Sequence, residues 1–188
     1  MFINPKHAIQ EGWVTFPEWM SEDFKQKCIQ PNAIDFTIDR LFTVDSASRF
    51  VISESYKSMR SNEEVKTGTY YTADWPEGEN GGEVQYWELH DKWCYDAMSD
   101  FYVNVPEGVA AYLITRSTFN RNGLFIQSGL YDSGFKGNCG FVIYNMCGVT
   151  AIAPHTRIGQ LIFVKSEDSG KMYAGGYNTE AGQHWSQK

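Results

Sequence analysis

The spacing of apolar and polar positions changes near residue 28. Before it the pattern is helical. Asn4-Pro5 suits the cap and first turn of a short helix to residue 10, and Gly12 ends it. Residues 17–27 predict a second short helix with Trp19, Met20 and Phe24 on one side. Beyond it the period is two. Ile34, Phe36 and Ile38 alternate with Asp35, Thr37 and Asp39, as in a strand with one apolar face. Further strands are predicted at 50–52, 84–87, 110–115, 141–144, 149–153 and 158–164. Many short strands separated by Gly, Asn and Pro point to a sandwich, jelly roll or barrel. Residues 53–82 break the pattern, being polar and ending in WPEGENGG, and read as a long excursion or flap. Residues 166–188 are Gly-rich and polar, with the composition of a frayed tail.

Composition narrows the function classes. The 188 residues suffice for one domain with a substantial core. The net charge is −7, from 16 basic and 23 acidic residues, with no long basic run. Duplex DNA or RNA is therefore a poor partner, since phosphate backbones demand clustered Lys and Arg. A free nucleotide needs only a local cradle and a metal. Cys28, Cys94, Cys139 and Cys147 lie far apart and read as free thiols in a reducing, cytoplasmic setting. No apolar run approaches membrane-spanning length, and the first residues lack the pattern of a secretory signal.

Candidate chemistry concentrates between residues 116 and 160. The segment holds RSTFNRNGLF, then GLYDSGFKGNCGFVIYN, then PHTRIGQLIF. In that order, with IQPNAIDFTI at 29–38 as a first motif, these pieces resemble the trimeric dUTPase and dCTP deaminase superfamily. The resemblance implies a mainly β fold, a distorted jelly roll or barrel with short N-terminal helices. It implies one domain over 1–165, carrying the polar insertion at 53–82, and a closing tail at 166–188. It also implies a homotrimer with sites between subunits and a deoxypyrimidine triphosphate substrate carried as its Mg²⁺ complex. Mg²⁺ would then be held largely by phosphate oxygens.

The resemblance assigns roles residue by residue. Asp132 matches the base that activates water for attack on the α-phosphorus; without the flanking motifs its spacing favours a turn aspartate capping its own backbone. Phe135 matches a ring lying against the deoxyribose, where a 2′-hydroxyl does not fit; alone, it is ordinary core. Ser117 matches a phosphate contact at the start of a short helix and Arg116 a substrate-site arginine that supports it and balances charge; the alternative is an N-cap serine beside a surface arginine. Gln160 matches an amide on a phosphate oxygen, and Arg157 orders its turn. Asp35 supports the triphosphate region or ties down Arg116. Gln127 lies in the base-recognising hairpin. In the tail, Trp185 matches a stacking ring and Gln183 a phosphate contact. The usual tail arginine is absent.

Two deaminase chemistries need separate treatment. Zinc deaminases need His-x-Glu and Pro-Cys-x-x-Cys, and neither spacing occurs. The metal-free dCTP deaminases of the superfamily carry a glutamate on the strand after the Gly-Phe-x-Gly turn. That position is Val142, which cannot shuttle protons, although Arg121 matches an arginine of the deaminase branch. The reading is therefore a dUTP pyrophosphatase with a deaminase-like backbone. A non-catalytic nucleotide-binding relative and a plain β-sandwich interaction module are the other classes.

Overall fold

The side chain of Asn4 accepts from Lys6 N and Pro5 fills the first turn, which sets helix α1 (Pro5–Gln10) where the sequence places it. In the computed structural model, which describes residues 1–71, 83–167 and 171–183, strand β1 (Val14–Thr15) follows. Helix α2 (Glu22–Cys28) starts later than the predicted 17–27, because Ser21, not Pro17, caps it through Phe24 N.

The remaining elements are β2 (Ile34–Phe36), β3 (Ile38–Val44), β4 (Val51–Ile52), β5 (Lys57–Ser58), β6 (Asn62–Glu64), β7 (Gly68–Tyr71), β8 (Glu83–Leu89), β9 (Cys94–Asn104) and β10 (Val109–Thr115). Helix α3 (Ser117–Arg121), β11 (Leu124–Gln127), β12 (Lys136–Asn145), β13 (Thr150–Ile152) and β14 (Gly159–Lys165) complete the chain. The largest sheet runs β11-β12-β9-β3-β6, with β1 also on β9. A second sheet is β10-β14-β2, a third β13-β8-β7, and β4-β5 form a small hairpin. The fold is mainly β and of the distorted jelly-roll type expected, with few short helices. Phe36 of the second sheet packs edge-on to Phe141 of the first, centroids 5.2 Å apart, and both are buried.

Two expectations change. Part of the 53–82 excursion is built into the sheets: β6 pairs with β3, and β7 with β8. The central strand β9 was not predicted, because Asp96, Ser99 and Asp100 interrupt its apolar run. The fold tolerates this by pairing the polar groups. Ser99 Oγ accepts from Cys139 N at 3.0 Å, and Asp100 accepts from the Thr37 amide and hydroxyl. Thr37 and Asp35, the presumed polar face of their strand, are likewise buried.

Burial lifts the Asp100 carboxyl to about 6, against the pull of Thr37 and with help from Asp39. A raised carboxyl favours the protonated fold, so this group removes stability as pH rises from about 4 to about 6 and nothing further above that. Asp100→Asn can keep both bonds to Thr37 without the charge. The expected outcome is a flatter pH–stability curve across that window and a gain of about 2–3 kcal/mol at neutral pH. Thermal melts of both proteins at pH 4 and pH 7.5 check it; parallel curves contradict it.

Candidate functional site

Two groups of predicted residues emerge, and they lie apart. The first surrounds Asp35, which is 1% exposed. Its Oδ2 is 3.3 Å from Arg116 Nε and 3.2 Å from Arg157 Nη1, and its Oδ1 accepts from Gln160 Nε2 at 3.0 Å. Arg116 also donates to Arg157 O at 2.7 Å. The register of β14 on β2 sets Gln160 opposite Asp35. Gly159 leaves room for the Phe36 ring, since a Cβ there would stand 2.3 Å from it. Burial raises the Asp35 carboxyl from its usual value, against the hydrogen bond from Gln160 and the two arginines. The cluster orders the loop entering α3. There the cap residue is Arg116, not Ser117, and Ser117 and Arg121 are exposed on the helix. Thus Asp35 holds both Arg116, expected to support the site and balance its charge, and Gln160, expected on a phosphate oxygen.

The second group surrounds Asp132. Phe135 N donates to Asp132 O at 3.0 Å, and Gly134 at φ +91° takes the third position, which makes a type II turn. The turn is closed by backbone, so the Asp132 side chain is not its cap. The carboxylate is exposed, and among the described residues nothing bonds to it. Its neighbours Tyr131 and Phe135 are buried, with ring centroids 4.8 Å apart.

Those two rings form one wall of a cavity of about 770 Å³. Leu130 adds to that side, Gln127, Val142, Asp96 and Met98 belong to the sheet floor, and Phe50, just before the excursion, and Met59 and Arg60, within it, complete the lining. The tail closes it with Tyr173, Tyr177, Thr179 and Gln183. Sequence reading missed Asp96, Arg60 and these tail rings as site residues; only the tail's aromatics among glycines hinted at docking.

The tail is bound to the Asp132 turn by backbone. Tyr173 N donates to Ser133 O at 2.6 Å, Thr179 N to Lys136 O at 2.9 Å, and Lys136 N to Asn178 Oδ1 at 2.9 Å. Gly182 N reaches Asn138 Oδ1 at 2.8 Å, and Lys57 Nζ donates to Tyr177 OH at 2.6 Å. Gly137 permits this approach, since a Cβ there would meet Thr179 Oγ1 at 2.6 Å. Gln183 is half-buried in the cavity wall, whereas Trp185 lies outside the described residues.

The four cysteines are free thiols, and burial pushes Cys28 and Cys139 up to about 12, which makes both poor nucleophiles at neutral pH. Among the described residues no group of three or more His, Cys, Asp or Glu is placed to hold a metal ion. No helix among them is long and apolar enough to cross a membrane.

How far apart are the two groups? Ser133 Oγ donates to Val109 O at 2.8 Å and Tyr131 pairs with Ala111, so Asp132 sits at the first end of β10. Arg116 follows its last residue. At about 3.3 Å per strand residue the separation is roughly 20 Å.

Comparison with known proteins agrees with this architecture. A dUTPase family model matches residues 96–184. A protein of Sulfurihydrogenibium sp. named "dCTP deaminase, dUMP-forming" is 40% identical over 84 residues, 43% of this chain and 47% of that protein. The match thus spans about half the length of that relative. A probable deoxyuridine 5'-triphosphate nucleotidohydrolase of Methanosarcina barkeri is 26% identical over 81% of each chain. That of Methanopyrus kandleri is 27% identical over 82% of this chain and 90% of its own. Among solved structures, the 2'-deoxycytidine 5'-triphosphate deaminase of Agrobacterium tumefaciens superposes over 86% of this chain and 47% of that one, with TM-score 0.58 and 11% identity, a likeness of fold. Residues 96–184 thus match a dUTPase family model, and the relatives found are named as dUTP nucleotidohydrolases and dCTP deaminases.

Proposed function

We propose that the chain hydrolyses dUTP to dUMP and diphosphate. The observation that carries the reading is Asp132, an exposed carboxylate with no side-chain hydrogen bond among the described residues, on a backbone-closed turn beside the cavity that its neighbours Tyr131 and Phe135 line. A carboxylate so placed takes a proton from water as the water attacks the α-phosphorus. The bond from that phosphorus to the bridging oxygen breaks and diphosphate leaves. Phe135 is the platform for the deoxyribose, and Gln127 stands at the base end. Ser117, Arg121 and the Asp35-ordered Arg116 and Gln160 are the phosphate side. Mg²⁺ arrives on the triphosphate, held largely by the substrate's oxygens.

A phosphate group and a base roughly 20 Å apart cannot serve one reacting phosphorus within one chain. Each site therefore takes Asp132 from one copy and the Arg116 loop from another, which supports the homotrimer. Mass-resolved light scattering is expected to give three times the 21.5 kDa chain. A stable monomer at assay concentration contradicts this.

The tail is the lid over this site. Truncation before Tyr177 removes the bonds of Asn178, Thr179 and Gly182 but little buried surface. The core is expected to stay folded while kcat/KM falls at least tenfold, because closure excludes water and completes the site. Undiminished turnover would establish a tail without a role.

The test of the reaction is product analysis after incubation with dUTP or dCTP and Mg²⁺. Diphosphate and dUMP from dUTP are expected; ammonia from dCTP without diphosphate would point instead to deamination, which Val142 disfavours.

A further inference from the structure

Residues 45–61 leave the main sheet after β3 and return to it at β6, as an arm. Two sets of bonds stiffen it. At the neck, Asp45 N donates to Ser61 O at 3.0 Å, and Ser61 Oγ to Asp45 Oδ2 at 2.9 Å. At the tip, Ser53 N donates to Tyr56 O at 2.7 Å and Tyr56 N to Ser53 Oγ at 3.1 Å, which closes the β4–β5 hairpin. Between neck and tip the arm buries little, since residues 49–57 are all exposed. An element with so few buried contacts opens at low cost. It nevertheless contributes to the cavity. Phe50, Met59 and Arg60 line it, with Phe50 46% and Met59 40% exposed, so an occupant would cover both.

The tail lines the same cavity from the other end of the sequence, and Lys57 on β5 joins the two. Its Nζ donates to Tyr177 OH at 2.6 Å, across 120 residues of chain. Tyr177 stands between two of the tail's anchors, Tyr173 N on Ser133 O and Thr179 N on Lys136 O. A hydrogen bond from an ammonium is short and stronger than a neutral one. Lys57 and Tyr177 are both exposed, so the bond adds little to the core. What it fixes is the position of arm and tail relative to each other.

We infer that Lys57 is a positioning residue: through Tyr177 it ties the 45–61 arm to the tail, so that the two close over the nucleotide as a single lid. The inference rests on the proposed function, since it takes the cavity to be the nucleotide site. Without the bond, arm and tail open independently, and the state in which both are closed is populated less. Apparent affinity falls by the same fraction as the population of the competent state. Arg60 moves with the arm, so closure also brings a guanidinium to the rim of a site that takes a polyanion.

The experiment compares the full-length wild type with Lys57→Met and Lys57→Arg, and repeats Lys57→Met in a chain truncated before Tyr177. Hydrogen exchange of the ligand-free protein reads the Thr179 and Gly182 amides, which bond Lys136 O and Asn138 Oδ1. Lys57→Met is expected to speed exchange there about three- to tenfold, the range for one net hydrogen bond, and to leave the amides of β9 at wild-type rates. In hydrolysis of dUTP with Mg²⁺, KM is expected to rise by a similar factor while kcat changes little. Lys57→Arg keeps a charged donor and is expected to recover most of both effects. In the truncated chain, which lacks the partner, Lys57→Met is expected to cost nothing further. Wild-type exchange at Thr179 and Gly182 in Lys57→Met overturns the inference. So does a loss of kcat/KM that is equal with and without the tail. A wild type that leaves dUTP intact, while tail exchange still responds to Lys57→Met, overturns the proposed function and leaves the arm joined to the tail.

Discussion

Asp132→Asn is expected to bind a non-hydrolysable dUTP analogue as the wild type does and to lose turnover by about 10²–10⁴-fold, the usual contribution of a positioned general base. The fold gives a reason to expect so clean a separation. The turn that carries Asp132 is closed by backbone, with Gly134 at its positive-φ position, and the carboxylate bonds to nothing among the described residues. An amide of the same shape therefore disturbs neither the turn nor the Tyr131–Phe135 packing behind it. Steady-state kinetics beside calorimetric binding of the analogue measure the two effects independently. Wild-type turnover in the variant would remove Asp132 from the chemistry.

Asp35→Ala is expected to cost more stability than any other single change at the site. It deletes the one anion between Arg116 and Arg157 and leaves Gln160 without its partner, all around a group 1% exposed. Removing one partner of a buried ion pair costs about 3–5 kcal/mol. Because both arginines are partly exposed, the lower end applies, and the melting temperature is expected to fall by roughly 10 °C. Turnover falls as well, since the cluster fixes the entry to α3 and hence Ser117. Asp35→Asn keeps the volume and one acceptor, so its loss of stability is expected to be smaller. A melting temperature and kcat/KM both at wild-type values in Asp35→Ala would mean that the cluster orders nothing.

What the sequence made legible follows the physics of local signals. The Asn4-Pro5 cap, the period-two strands around Ile34 and the Asp-Ser-Gly turn are written within a few residues of themselves. Strand β9 is not, because Asp96, Ser99 and Asp100 look like loop residues until their partners are known. Those partners lie at Thr37 and Cys139, roughly 40 to 60 residues away in the chain. The same distance hid the tail. Its composition says frayed, but Asn178 and Thr179 clasp Lys136 from some 40 residues downstream. Motif order named the candidates at both groups, yet only the geometry separates them by the length of β10. Asp96 was illegible for a further reason: a lone acid in a strand carries no sign of the cavity it faces.

The central claim is that water, activated at Asp132, attacks the α-phosphorus. Turnover of dUTP in ¹⁸O-labelled water, followed by mass spectrometry of both products, tests it most directly. One ¹⁸O in dUMP and none in diphosphate is the expected result. Label in the diphosphate, or release of single phosphate in place of diphosphate, would contradict it.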